Sequence, residues 1–165
     1  MNIQDPVFLA QVEQAVREAG QIFYDRTKVS HMKHKGVTDF VTEVDLSVQT
    51  FLKERLAQLA PEVQLMGEEK DNSGLDFEKP MWILDPVDGT MNLVHGFRHS
   101  AVSLALADRG QVELGLVYDP YAGELFSARR GCGAFVNGEP IHVSEAKRLA
   151  DCLVDVGTNP SQREM

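Results

Sequence analysis

Residues 82–92 read Trp82-Ile83-Leu84-Asp85-Pro86-Val87-Asp88-Gly89-Thr90-Met91-Asn92. The apolar start is typical of a buried strand, and it runs directly into two carboxylates three positions apart. Like charges about 4 Å apart repel by about 4 kcal/mol at an effective dielectric constant of 20, so a turn that brings them together favours a cation between them. Oxygen ligands of this kind suit Mg²⁺. The stretch therefore predicts a strand that ends at a metal site.

The next two residues supply donors for an anion. Gly89 and Thr90 could present backbone N–H groups at the start of a short helix, where phosphate is bound by donors and dipole together. A cation site beside an anion site indicates phosphoryl chemistry. The segment Glu68–Asp88, with seven acidic residues and two lysines, supports the metal site. Without other motifs, however, Asp-Pro-x-Asp-Gly is equally compatible with a surface turn.

Two amphipathic helices precede this stretch. Apolar residues recur at helical spacing over residues 5–26, with Asp5 as N-cap and a proline in the first turn. The same spacing predicts a second helix over Glu43–Ala60, which Thr42 caps and Pro61 ends. Between the helices, the polar and basic stretch Lys28–Gly36 predicts a mobile surface loop.

Short runs with a period of two follow from residue 63, and they predict an antiparallel meander. The runs are Val63–Met66, Met81–Leu84, Ala101–Ala107, Gln111–Tyr118 and Glu124–Ala128. Residues typical of tight turns occur at 108–110, 119–123 and 137–138. The pattern predicts an α+β fold in which two N-terminal helices pack on an antiparallel sheet.

Composition excludes several classes of protein. The 165 residues, 43% hydrophobic and 25% charged, are ordinary proportions for one globular domain. A net charge of −9 opposes direct binding to nucleic acid. The apolar run Ala101–Ala107 is far shorter than the roughly 20 residues of a membrane span. Cys132 and Cys152 have neither zinc-finger nor redox-motif spacing, which predicts unpaired thiols and a cytoplasmic protein.

Three motifs in the same order resemble the inositol monophosphatase family, a Mg-dependent, lithium-sensitive phosphatase superfamily. They are Lys35-Gly36 to Asp39-Phe40-Val41-Thr42-Glu43-Val44-Asp45, then Gly67-Glu68-Glu69, then Asp85-Pro86-Val87-Asp88-Gly89-Thr90-x-Asn92. At about 5% per residue type, six fixed positions recur by chance at roughly 10⁻⁸ per window. The resemblance implies a layered α/β sandwich of the sugar phosphatase type.

The resemblance also implies a set of Mg²⁺ ligands. By position, Glu68, Asp85 and the Val87 carbonyl are expected to hold a first ion. Asp85 and Asp88 are expected to contribute to a second. Such an arrangement makes physical sense, since one metal activates water and another stabilises the leaving alkoxide.

The family further implies roles in catalysis and substrate binding. Thr90, with Glu68 and Asp45 nearby, is expected to orient the attacking water, and the Gly89 and Thr90 amides to hold the ester phosphate. Lys35 is expected to lie in a loop that closes over the substrate. These roles imply a phosphomonoesterase that acts on inositol monophosphate or a related small sugar phosphate, with a homodimer left open.

Two features depart from the family pattern. Met91 replaces the family's usual second Thr, and the family's later Trp-Asp motif has no counterpart here, since the sole tryptophan is Trp82. We therefore expect residues 1–150 to form the N-terminal metal- and phosphate-binding domain. Residues 151–165, with a β-type run at Leu153–Val156 and a helix start at Thr158, are expected to begin a truncated second α/β domain.

Other functions remain open at this stage. One is a truncated, catalytically weak chain that serves as a binding or protein-interaction module. Another is a bisphosphate nucleotidase or fructose bisphosphatase branch of the same family. His95 and His99 could share a helix face as zinc ligands, although packing or a substrate-loop role is the preferred interpretation. His31 and His34 receive no role.

Overall fold

The computed structural model describes residues 4–34, 40–68 and 71–155. Within these ranges the α+β fold contains four α-helices, a two-stranded antiparallel sheet and a seven-stranded mixed sheet. The helices are α1 (Pro6–Gly20), α2 (Arg26–Ser30), α3 (Glu43–Leu59) and α4 (Thr90–Val94). The strands are β1 (Met32–His34), β2 (Phe40–Thr42), β3 (Gln64–Gly67), β4 (Met81–Asp88), β5 (Ala101–Asp108), β6 (Gln111–Asp119), β7 (Glu124–Arg129), β8 (Gly133–Val136) and β9 (Glu139–Ile141).

The main sheet has its seven strands in chain order, from β3 to β9. All neighbours from β4 onward are antiparallel, which confirms the predicted meander. The first pair is different, because β3 and β4 run parallel, with Gln64 opposite Met81 and Gly67 opposite Leu84. The expectation of an antiparallel β3 was therefore wrong. Alternation of apolar residues marks a strand but carries no information on the direction of its partner.

Helix α1 begins where the sequence predicts, since Asp5 accepts a hydrogen bond from the Val7 N–H at 2.9 Å. It ends at Gly20, and a 3₁₀ turn follows over Gln21–Tyr24, so the prediction of one helix to residue 26 was wrong. Glycine is a poor helix former. At position 20 it also allows close packing, because a Cβ there would lie 2.6 Å from the Tyr118 ring.

Helix α3 matches its prediction within one residue. Thr42 caps it in a capping box with Asp45, and the helix ends just before Ala60 and Pro61. Its buried residues lie at helical spacing and face the sheet, as do those of α1. The two helices thus cover one face of the sheet, as predicted. Leu52 and Leu104 are among the fully buried side chains of this core, and each such leucine contributes roughly 1.5–3 kcal/mol of transfer free energy.

The opposite face of the sheet carries apolar side chains that are partly exposed. Ile83, Val117 and Phe126 are 37–40% exposed, and Val117 lies directly opposite Phe126 in the β6–β7 pairing. In the described part of the chain, the helices α1 and α3 therefore shield only one side of the sheet.

The stretch after the first helix region is more ordered than expected. In place of a loop from Lys28, the structure has the end of α2 and then β1, which pairs antiparallel with β2. Asp25 caps α2 by accepting from the N–H groups of Thr27 and Lys28. These local backbone hydrogen bonds explain why polar composition misled the loop prediction. Residues 35 and 36 lie outside the described ranges.

Near the end of the described chain, residues 153–155 form no strand, contrary to the predicted β-type run. Leu153 is fully exposed, so this apolar residue has no packing partner that would hold it in a sheet. The predicted helix start at Thr158 lies outside the described residues. Cys132 and Cys152 are both free, as predicted, and both are exposed. No helix among the described residues has the length and apolar character to cross a membrane.

Candidate functional site

The strand β4 is irregular where its two aspartates lie. Asp85 is opposite Ser103 on β5, whereas Asp88 is opposite Ala101, so three steps on β4 match two on β5. Residues three apart on a regular strand point to opposite faces, and a bulge removes that constraint. Pro86 fits within such an irregularity because it has no N–H to donate to the neighbouring strand.

Parallel pairing brings a third carboxylate to the same place. Glu68 directly follows β3, and its N–H donates to the Leu84 carbonyl at 3.2 Å. It therefore lies beside Asp85, the next residue of β4, and the two side chains share a hydrogen bond. Glu68 is exposed and Asp85 is half-buried. The parallel direction of β3, which sequence reasoning missed, is what places Glu68 at this site.

Asp85 is the carboxyl group on which burial and the two neighbouring carboxylates act most strongly. Burial is the largest cause that raises the pKa of Asp85 from 3.8 to about 7, followed by the charge and hydrogen bond of Glu68 and the charge of Asp88. The Val87 N–H, which donates to Asp85 Oδ1 at 3.1 Å, partly offsets this by favouring the ionised form. Near neutral pH, Asp85 therefore carries a proton in a large fraction of the molecules, and a nearby cation would favour its ionised form.

A second group of polar residues connects α3 to α4. Asp45 is 2% exposed, and its Oδ2 accepts from the Thr42 N–H at 2.8 Å and from the Thr42 hydroxyl at 2.5 Å. The other oxygen, Oδ1, lies 3.1 Å from Thr90 Oγ1. That hydroxyl is also 3.0 Å from the Val87 carbonyl oxygen. The Thr90 hydroxyl is thus held between a buried carboxylate and the backbone next to Asp88.

The short helix predicted after Asp88 is present as α4, and Gly89 precedes it in the left-handed conformation. An open cleft of about 320 Å³ lies beside this turn, lined in part by Asp88, Gly89 and His99. A larger groove of about 610 Å³ lies between α1 and α3. Its one charged lining residue, Arg55, pairs with Glu18. The smaller cleft is the relevant one because it adjoins the carboxylates.

The structure brings together most of the residues that the sequence singled out. Glu68, Asp85 and Asp88 form one group, and Asp45, Val87 and Thr90 form the adjoining one. Over the described ranges, however, no three His, Cys, Asp or Glu side chains already form a set that could hold a metal ion. Lys35 lies outside the described residues.

The zinc alternative for His95 and His99 was wrong. Helix α4 ends at Val94, so the two histidines share no helix face, and both are exposed. Met91 is also exposed, so its departure from the family pattern affects no buried contact.

Sequence reasoning missed Thr42 and Ser100 as parts of this site. The spacing of Thr42 and Asp45 was visible as a helix cap, but its connection to Thr90 was not. Nothing in the sequence indicates that the Ser100 hydroxyl donates to the Gly89 carbonyl at 2.9 Å.

Comparison with known proteins now identifies the family. The sequence model that describes the inositol monophosphatase family matches residues 4–164 of this chain. The chain belongs to the inositol monophosphatase family. Its Asp-Pro-x-Asp-Gly-Thr motif forms the end of β4 and the start of α4, where the carboxylates and Thr90 meet.

Relatives within the inositol monophosphatase family support the assignment over most of the chain. Inositol monophosphatase 3 of Solanum lycopersicum is 40% identical over 161 residues, which are 92% of this chain and 59% of that protein. The fructose-1,6-bisphosphatase/inositol-1-monophosphatase of Thermotoga maritima is 41% identical over 128 residues, 76% of this chain and 48% of that protein. The chain thus spans about three fifths or less of these relatives.

The fold agrees with a solved structure. The extragenic suppressor protein suhB of Bartonella henselae superposes with a TM-score of 0.79 at 32% identity, covering 87% of this chain and 57% of that one. The predicted α+β fold of the inositol monophosphatase family is therefore confirmed.

Proposed function

We propose that this chain supplies the metal- and phosphate-binding part of a Mg²⁺-dependent phosphomonoesterase that hydrolyses inositol monophosphate or a related small sugar phosphate. One observation carries the proposal. Three carboxylates, Glu68, Asp85 and Asp88, interact at the end of β4, directly beside the hydrogen-bonded pair of Thr90 and Asp45. Family membership supports the same reaction.

The donor chemistry of this cluster fits Mg²⁺. Hard divalent ions prefer carboxylate and carbonyl oxygens, and Glu68, Asp85, Asp88 and the Val87 carbonyl supply them. The raised pKa of Asp85 supports a cation at this place, because the negative charges are unfavourable without one. When bound, Mg²⁺ stabilises the negative charge that develops on the phosphoryl and leaving oxygens.

The remaining residues orient the reacting groups. The Thr90 hydroxyl, held by Asp45, is placed to orient the attacking water together with Glu68. The Gly89 and Thr90 N–H groups hold the ester phosphate. Positioning of this kind supplies much of the rate of phosphoryl transfer. Lys35 keeps its predicted role in substrate binding.

Several wider statements belong to the same proposal. Residues 1–150 form the site-bearing domain, and residues 151–165 begin a second α/β domain. The protein acts in the cytoplasm on small phosphate esters, without direct binding to nucleic acid, and could form a homodimer. The alternative substrate is fructose bisphosphate, which the name of the Thermotoga maritima relative supports.

A second candidate is a binding module with weak turnover. It is favoured by the open cleft of about 320 Å³ beside Asp88, because a site that does not exclude water can bind an ion without supporting rapid chemistry. The two candidates differ in whether bound Mg²⁺ leads to hydrolysis.

The test is Mg²⁺-dependent phosphate release from inositol 1-phosphate, with fructose 1,6-bisphosphate as a second substrate. We expect Asp88→Asn to abolish release. Asp76→Asn should retain it, because Asp76 is exposed and pairs with Lys79 rather than with the site residues. Mg²⁺ at a hundredfold excess over its dissociation constant is expected to stabilise the fold by about 2.7 kcal/mol. Stabilisation without phosphate release would favour the binding module. The absence of both stabilisation and phosphate release would refute both candidates.

A further inference from the structure

Ser100 is a buried polar residue for which the proposed reaction has no use. It is 5% exposed and lies one residue before β5. Its hydroxyl donates a hydrogen bond to the Gly89 carbonyl oxygen at 2.9 Å. In the described chain, Thr42 and Asp45 are the other buried polar residues. Asp45 accepts a hydrogen bond from the Thr90 hydroxyl, and the Thr42 hydroxyl donates to Asp45.

The Gly89 carbonyl belongs to the peptide group that precedes Thr90. This peptide is planar, so the direction of the carbonyl also fixes the direction of the Thr90 N–H. The same oxygen accepts from the Leu93 N–H at 3.1 Å. Two donors, one from α4 and one from Ser100, therefore fix the peptide plane from which Thr90 continues.

The turn at Gly89 needs such a constraint. Gly89 has φ 86° and ψ 42°, and no side chain caps α4. Glycine reaches this conformation easily but leaves it easily too, because it has wide conformational freedom. A hydrogen bond from a buried hydroxyl is thus a direct way to hold the turn.

Asn92 holds the segment that leads into Ser100. The Asn92 side chain donates to the His99 carbonyl at 2.8 Å, and its backbone carbonyl accepts from the Phe97 N–H at 2.8 Å. These bonds fold the segment before β5 back onto the turn. A Cβ at Gly89 would lie 2.9 Å from the His99 carbonyl oxygen, which shows how closely the two segments pack.

We propose that Ser100 is a positioning residue that fixes the Gly89–Thr90 peptide and so keeps Thr90 Oγ1 between Asp45 and Val87. The inference rests on the proposed role of Thr90 in hydrolysis of a phosphate monoester. Ser100 lines the cleft beside this turn, and its hydroxyl is directed to the Gly89 carbonyl. It acts through the backbone of the residue that orients the attacking water.

The test compares Ser100→Ala, which removes the hydroxyl, with Ser100→Thr, which retains it. Ser127→Ala on β7 makes the same change away from the site and serves as the control. Two readouts are measured: the Thr90 amide and methyl resonances of the metal-free chain by NMR, and kcat and KM for inositol 1-phosphate with Mg²⁺. Far-UV circular dichroism verifies that each variant is folded.

We expect Ser100→Ala to shift both Thr90 resonances and to lower kcat about tenfold with KM changed less than twofold, since small misplacements at a reacting centre are costly. Ser100→Thr should restore most of kcat, and Ser127→Ala should match the wild type. Unchanged Thr90 resonances in folded Ser100→Ala would overturn the inference. Shifted resonances in a chain without any phosphate release would support the positioning of Thr90 while refuting the proposed function.

Discussion

Replacement of Asp85 by asparagine is predicted to stabilise the metal-free chain at pH 8 by about 2 kcal/mol and to remove its response to Mg²⁺. Most substitutions at a half-buried site are destabilising, so the sign of this effect is informative. Asparagine keeps the shape of the side chain. It can accept from the Val87 N–H and donate to Glu68, but it carries no charge.

The magnitude follows from the pKa of Asp85. The pKa is about 7 in the folded chain, against 3.8 as its ordinary value. Between these values the folded chain binds a proton that the unfolded chain has released, so the free energy of unfolding falls as the pH rises through this window. At about 1.4 kcal/mol per pKa unit, the loss above pH 7 is at most about 4 kcal/mol. Because Asp85 is only half-buried, solvent screening reduces this to about 2 kcal/mol.

The assay is urea denaturation at pH 4.5 and pH 8, followed by the fluorescence of Trp82, which is the sole tryptophan and is 1% exposed. The increase in the free energy of unfolding caused by Asp85→Asn should be less than half as large at pH 4.5, because Asp85 of the folded wild type keeps its proton there. Asp76→Asn is the matched control, because hydrogen bonds from the Glu78 N–H and Lys79 lower the pKa of Asp76. The Asp76→Asn variant should be no more stable than the wild type at pH 8.

An equal effect of Asp85→Asn at both pH values would refute the reasoning, since burial and charge repulsion would then not be the cause. A loss of stability at pH 8 would do the same. Saturating Mg²⁺ should stabilise the wild type, because the cation replaces the proton, and should leave the Asp85→Asn variant unchanged.

Three further substitutions test the packing around the site. Gly89→Ala should destabilise by about 1–3 kcal/mol in urea denaturation, because φ is +86° and the new Cβ would meet the His99 carbonyl. Thr42→Ala should lower the free energy of unfolding by about 1 kcal/mol, because a helix cap is lost. It should also lower phosphate release, because Asp45 loses a hydrogen-bond donor. Normal phosphate release would contradict the link from Thr42 through Asp45 to Thr90. Leu52→Ala should cost about 2–5 kcal/mol without weakening Mg²⁺ binding in calorimetry, and weaker binding would contradict a purely structural role.

The helices and most strands could be predicted from the sequence because their signals are local. Asp5 and Thr42 accept hydrogen bonds at the helix starts where capping residues were expected. The hairpin turn at Asn137 and Gly138 has positive φ at both residues, as its composition predicts. Each of these features depends on residues a few positions apart, so a pattern in the sequence is sufficient.

The failures in strand pairing depend on partners elsewhere in the sequence. The direction of β3 is set by which strand it joins, and the pairing of β1 with β2 supplies hydrogen bonds that polar composition does not reveal. The site shows the same division. Its residue types were visible in the motif, whereas the position of Glu68 beside Asp85 results from the parallel pair β3–β4. Ser100 has no sequence signal because its function lies in a contact with backbone.

Asp45 shows why one residue type is required for both fold and site. Its Oδ2 accepts two hydrogen bonds from Thr42 at the start of α3, and its Oδ1 lies within hydrogen-bond distance of Thr90. An asparagine at position 45 could still accept from Thr42 with its oxygen, but its amide nitrogen would face Thr90 Oγ1 as a donor. The Thr90 hydroxyl could then donate only to the Val87 carbonyl, so the hydrogen bond between residues 45 and 90 would be reversed. A longer glutamate suits many capping boxes, yet its carboxylate would lie one methylene further from the backbone and could not keep both contacts unchanged. The helix cap and the site thus constrain the same side chain, because asparagine would keep the cap but reverse the hydrogen bond at Thr90, and alanine would remove both.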